Sequence, residues 1–246
     1  MPHIEIAAER LIELFGMPIT NTLITSWIVV GFLVLSAVLF QKRVTRVPKG
    51  AQNIAEFFVE KLLGLMEGVI GSREKAERYF PIVATLFIFI LISNWFGIFP
   101  GVGSLGLIEE HEGRPVFVPL LRSAASDVNT TLALAAIAVI LINLMGIASA
   151  GVWRYVSRFI SFKGPIEFFV GILEFISEFA KIISFAFRLF GNIFAGEVLL
   201  VITAFLIPYF VPIPFLMLEL FVGFIQALVF AMLTTVFISI ATAEHH

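Results

Sequence analysis

The chain has 246 residues, 59% of them hydrophobic and only 14% charged, with 28 phenylalanines and a mean hydropathy of +1.03, far from the balance of a soluble domain. A formal net charge of -2 gives no electrostatic case for nucleic acid as a partner. Cysteine is absent, and His3, His111, His245 and His246 all lie outside the long apolar runs, so neither a metal nor any other cofactor is expected.

These numbers predict an all-α polytopic membrane protein, one membrane domain with about five membrane-embedded helices and additional amphipathic interfacial helices. Residues 1–23 form an N-terminal segment without a cleavable signal pattern, read as mature sequence. Within it, apolar positions from Glu5 to Phe15 recur at helical spacing between Glu5, Glu9, Arg10 and Glu13, as in a short helix lying at an interface. Residues 24–40 are just long enough to span and are followed by Lys42, Arg43, Arg46 and Lys49, which assign that end to the cytoplasm.

Residues 51–70 mix Glu56, Glu60, Lys61 and Glu67 with Phe57, Leu62, Leu63 and Met66, so they read as an amphipathic cytoplasmic helix. The second span is 80–99, with Trp95 near its far end. The loop 100–127 carries Glu109, Glu110, Glu112 and Asp127 against Arg114 and Arg122, which suits the outer side. After the third span, 128–152, come Arg154, Arg158 and Lys163, so both basic loops share one side. The N-terminus is then outside and the C-terminus cytoplasmic.

The run 165–207 holds about 43 residues, roughly 64 Å of helix and twice a hydrocarbon core. It must be tilted, bent or broken. Pro208, Pro212 and Pro214 mark the turn into a last helix, 214–242, which runs back as the second arm of a hairpin. No inverted repeat relates the halves, which weakens a secondary-transporter reading.

Arg188 lies in the middle of the long run, where an arginine costs about 3 kcal/mol on insertion scales. At 100° per residue, Glu174, Ser177, Lys181 and Ser184 fall within about 40° of its direction and form one polar stripe. A solvated ridge is the plain alternative for that stripe. Glu197 is turned by about 180° and sits roughly 13 Å farther along.

On the last helix Glu219 and Gln226 share a face, and antiparallel packing would bring Glu219 near Glu197 and Gln226 near Arg188. Intramembrane carboxylates can hold and release protons, although these polar groups also serve as interhelical glue, as do Gln226 and Asn192. Asp127 and Asn129 open the third span, where a helix N-cap is the simplest role for Asp127. Gly191 and Gly196 remove bulk beside Arg188, with close packing inside the chain as the ordinary reading. A proton or Na⁺ finds no continuous polar file past Arg188, so transfer calls for a carrier carboxylate from another chain.

The residues Arg188 to Glu197 resemble the R-L-x-G-N-x-x-A-x-E motif of subunit a of F-type ATP synthases. The resemblance extends to P-x-x-x-Q-x-x-x-E at Pro48 to Glu56, N-W-x-G-x-x-P at Asn94 to Pro100, D-V-N-x-T at Asp127 to Thr131, and Q-A-x-V-F-x-x-L-T at Gln226 to Thr234. It implies a stator subunit that performs no bond chemistry, sits in the lipid bilayer beside a ring of c subunits, and is joined to the b subunits of the peripheral stalk. Arg188 matches the family's essential arginine, which faces the ring carboxylate. Glu197 and Glu219 match the outer half-channel, Gln226 a polar residue near the arginine, and Glu174, Ser177, Lys181 and Ser184 the inner access path. The resemblance further implies that the last two helices form a long tilted hairpin around the ring. Family members differ at the positions of Glu197 and Glu219, where histidine can replace one carboxylate; here both are glutamate.

The expected setting is a bacterial inner membrane and the expected ion H⁺, with Na⁺ left open. An autonomous ion or solute transporter and a structural membrane scaffold are the competing classes.

Overall fold

The computed structural model describes residues 8–14, 17–42, 44–99, 102, 106–111, 114–159 and 164–243. His3, Glu5, Arg43, Glu112, Lys163, His245 and His246, named above, lie outside the described residues. Among the described residues, 5 helices are long and apolar enough to cross a membrane: α1 (Asn21–Gln41), α3 (Arg73–Ile98), α4 (Val128–Ala150), α6 (Pro165–Leu206) and α7 (Pro212–Thr242). The amphipathic helix α2 (Ala51–Ile70) and the short α5 (Val152–Val156) complete an all-α membrane fold.

Chain direction defines two ends. At the basic end lie α2, α5 and the C-terminus of α7. At the other lie two antiparallel hairpins, β1 (Arg10–Leu14) with β2 (Met17–Thr20) and β3 (Gly106–His111) with β4 (Arg114–Pro119), and the turn between α6 and α7. The first hairpin corrects the short helix expected from Glu5 to Phe15: over its described part the backbone is extended. So short a segment cannot offset helix nucleation alone, and the β-branched Ile19 and Thr20 supply a strand to pair with. Pro18, which lacks an N–H, would break any continuation of that helix.

α7 is the central helix, packed on α3, α4, α6 and α2. In its most apolar stretch 44% is buried, against 11% for α1, whose Trp27, Phe32 and Leu35 point away from the rest of the chain. The sequence reason is spacing: Gly223, Ala227, Ala231 and Thr235 recur every four residues and are all buried, giving α7 a low ridge on which neighbours approach closely. Phe185, Leu189 and Ile193 of α6 pack toward this core, Phe185 with its ring 4.6 Å from that of Phe230. Thr234, Thr235 and Thr242 remain satisfied by donating to the carbonyls of Phe230, Ala231 and Ile238.

α6 is one uninterrupted helix of 42 residues, roughly 63 Å long, which removes the broken alternative. α4 ends at Ala150, two residues short of the expected boundary, because Gly151 turns the chain at φ +84, a conformation that suits glycine.

Candidate functional site

Four members of the predicted stripe share one cavity. Ser177, Lys181, Ser184 and Arg188 line a volume of about 240 Å³ on α6, closed on its other side by Leu233 and Phe237 of α7. Arg188 donates from Nη2 to Ser184 Oγ at 3.0 Å, one turn below it, and makes no ion pair among the described residues. Arg188 as a residue is half-buried but this hydrogen bond is exposed, and so are Ser177 and Ser184. A Cβ added at Gly191 would meet nothing within 4 Å, so this glycine serves no packing inside the chain.

Glu174, the fifth member, departs. At the edge of the stripe, it pairs with Arg158 at 3.4 Å and lines a separate cavity of about 560 Å³ at the basic end, with Arg154, Tyr155 and Thr242.

α6 and α7 pack antiparallel, and their polar residues meet in that register. Asn192 Nδ2 donates to Gln226 Oε1 at 2.7 Å. One turn farther, Glu219 is buried at 7% exposure with its carboxyl against Gly196, where an added Cβ would sit 3.0 Å from Glu219 Oε1. Gly196 is therefore small because Glu219 occupies the space beside it. Asn94 and Trp95 of α3 fix the backbone here, donating to the carbonyls of Gly223 and Leu220 at 3.0 Å each.

Glu197 points elsewhere. Its two oxygens accept from Arg122 Nε at 2.9 and 3.3 Å, and Arg122 itself is 8% exposed, its backbone N–H donating to Thr25 Oγ1 on α1. This ion pair was not foreseen, because Arg122 is a loop residue whose partner lies 75 positions away. Asp127 caps α4, accepting from the Asn129 N–H at 3.1 Å, and takes hydroxyl bonds from Thr22 and Thr130. Asn129 adds its side-chain amide to the same carboxylate at 3.3 Å.

A small void of about 10 Å³ lined by Ser93, Asn94, Thr130, Thr131 and Leu189 reaches from this cluster toward α6. Ser93 Oγ, Asn94 Oδ1, Glu219 Oε2 and Gln226 Nε2 are buried without a hydrogen bond among the described residues. Each is the kind of polar atom that a packed interior normally satisfies.

Three further residues escaped the stripe arithmetic: Glu178 on α6, which accepts from Lys181 Nζ at 2.6 Å, Asn143 on α4, and Tyr155 on α5. Glu178 is about 80° off the direction of Arg188, so helical spacing alone did not gather it.

Residues 23–239 match the family described as ATP synthase A chain. ATP synthase subunit a of Moorella thermoacetica is 33% identical to this chain over 235 residues, covering 94% of this chain and 95% of that one. With five apolar helices and an arginine-bearing polar face set on the longest of them, the chain belongs to the ATP synthase A chain family, as a homologue of the F-type enzyme's membrane stator subunit a.

Proposed function

We propose that this chain carries H⁺ to and from the carboxylates of a neighbouring c-subunit ring through two offset half-paths, with Arg188 as the barrier between them. The observation that carries this is the placement of Arg188: a guanidinium with a hydroxyl for a partner, at a cavity with polar groups along its α6 wall and apolar ones opposite, on a face that the described residues leave uncovered. An arginine cannot usefully lose its proton in a protein, and it repels a cation that tries to pass. A carboxylate presented from outside would find it ready to form an ion pair.

The basic-end half-path is the cavity of Ser177, Lys181 and Ser184, with Glu174 one turn before Ser177 on α6 in the separate basic-end cavity. The other half-path runs by Asp127 and Asn129 to Glu197 and Glu219, and ends at Gln226 and Asn192 beside the arginine. Its buried, unbonded oxygen and nitrogen atoms support an ion route, since water, which both donates and accepts, would satisfy them. Leu189 and Ile193, which follow Arg188 and Asn192 on α6, are both buried and apolar.

A charge crossing 100 mV gains about 2.3 kcal/mol, and the stator makes that crossing require the ring to turn. In this reading the basic end is cytoplasmic, the hairpin end faces outward, the membrane is a bacterial inner membrane, and the peripheral stalk b subunits hold the chain against rotation. The N-terminus is then outside and the C-terminus inside.

Arg188→Ala tests it in inverted membrane vesicles. Assembly is retained and ATP-driven proton pumping is lost; pumping at the wild-type rate would sink the proposal. Turnover independent of sodium ion is expected for H⁺, and sodium-dependent turnover would replace H⁺ with Na⁺.

A further inference from the structure

Two cations line the cavity below Arg188: Arg188 itself and Lys181, whose Nζ also lies 4.9 Å from the ring centroid of Phe237 on the opposite wall. An ion crossing so small a volume would meet both charges at short range, in surroundings that screen them poorly. Lys181 is drawn aside by Glu178, one turn earlier on α6, whose Oε1 accepts from Nζ at 2.6 Å.

That carboxylate is held from behind. Asn143 Nδ2 donates to Glu178 Oε2 at 3.1 Å and also to the Val139 carbonyl at 2.8 Å, and Tyr155 donates its hydroxyl to Asn143 Oδ1. The Tyr155 ring lies directly over Gly146, where a Cβ would collide with it. Burial, and then the Glu178 charge, push the Tyr155 phenol above its usual range, so it stays a donor. Three helices thus converge on one carboxylate that lies outside the stripe, and its side chain is only 19% exposed.

We propose that Glu178 is the counter-charge of the basic-end half-path: pinned by Asn143 and Tyr155, it cancels Lys181 and leaves Arg188 as the one uncompensated cation among the described residues that line the cavity. This rests on the half-path reading above. Glu178 acts through Lys181 and is a positioning residue. The alternative is a clip that merely joins α4 to α6.

The two are separated by passive proton flux through vesicle membranes stripped of the catalytic sector, expressed per assembled complex. Glu178→Gln should lower flux about tenfold, because two cations then face the ion. Adding Lys181→Met to that variant should recover most of the lost flux, although it removes the last member of the pair. A clip predicts no recovery, and a double variant as slow as the single one overturns the proposal. Where Glu178→Gln assembles too poorly to read, Tyr155→Phe serves. It should lower flux about threefold by loosening Asn143, again with recovery on adding Lys181→Met; a loss without recovery overturns the proposal. Arg188→Ala in inverted vesicles that keep the catalytic sector holds the readings apart. If it leaves ATP-driven pumping intact, the half-path reading fails; if it abolishes pumping while Glu178→Gln conducts normally, only the counter-charge fails.

Discussion

The two polar regions on α6 are walled differently. Around Glu197 and Glu219 the chain supplies partners from four other elements: Thr25 of α1 by way of Arg122, Asn94 and Trp95 of α3, Arg122 of the connecting loop, and α7 itself. Around Arg188, among the described residues, it supplies only α6 and α7, and Ser177, Ser184, Phe187 and Gly191 stay exposed. Glu219 is buried with Oε2 unbonded, and Glu197, 32% exposed, is held by the Arg122 ion pair. Arg188 by contrast keeps an uncovered side, the one on which the proposed function has it meet a carboxylate of another chain. The closed region and the open region are therefore built by opposite rules on a single helix.

The sharpest way to break this comparison is in the closed region. Glu219→Leu should reduce ATP-driven acidification of inverted vesicles about a hundredfold, the scale on which a lost proton-transfer group is felt; retention of a tenth or more would show that Glu219 only joins helices. Arg122→Ala comes next. It leaves Glu197, 32% exposed, without its charged partner and should lower the stability of the assembled protein by roughly 1.5 kcal/mol, read as a fall in thermal midpoint, with Arg122→Lys recovering part. Gly196→Ala places a methyl 3.0 Å from Glu219 Oε1, so the carboxyl must move by a few tenths of an ångström. A several-fold loss of flux is expected for roughly 1 kcal/mol or less of stability. The smallest effect belongs to the open region: Ser184→Ala removes the Arg188 hydrogen bond and should change pumping by about twofold or less. A larger loss would mean that α6 itself, not an external partner, orients the guanidinium.

Much of the architecture could be read from the chain because apolar runs and basic clusters alternate. The excess length of α6 follows from counting residues, and Arg188 stands out because its insertion cost is large. Helical arithmetic also brought Ser177, Lys181 and Ser184 to the side of Arg188. It failed where tertiary partners decide. Glu174 has nearly the right angle, but Arg158 follows α5 back to the helix and takes it. Arg122 counted only as a loop charge until the loop closed onto α6. The segment before α1 has helical spacing over too few residues to matter, and a neighbouring strand prevailed.

The unbroken course of α6 has a consequence for how this protein can vary. Ser177, Arg188 and Glu197 are mounted on one screw, so the angle between cavity and carboxylate is set by residue count alone. One residue inserted between Arg188 and Glu197 would turn Glu197 about 100° away from Arg122. Four inserted residues would return it to within about 40°, but displaced by roughly 6 Å along the axis. A substitution along this stretch alters one side chain, whereas a change of length by even one residue turns Glu197 out of phase with Ser177 and Arg188.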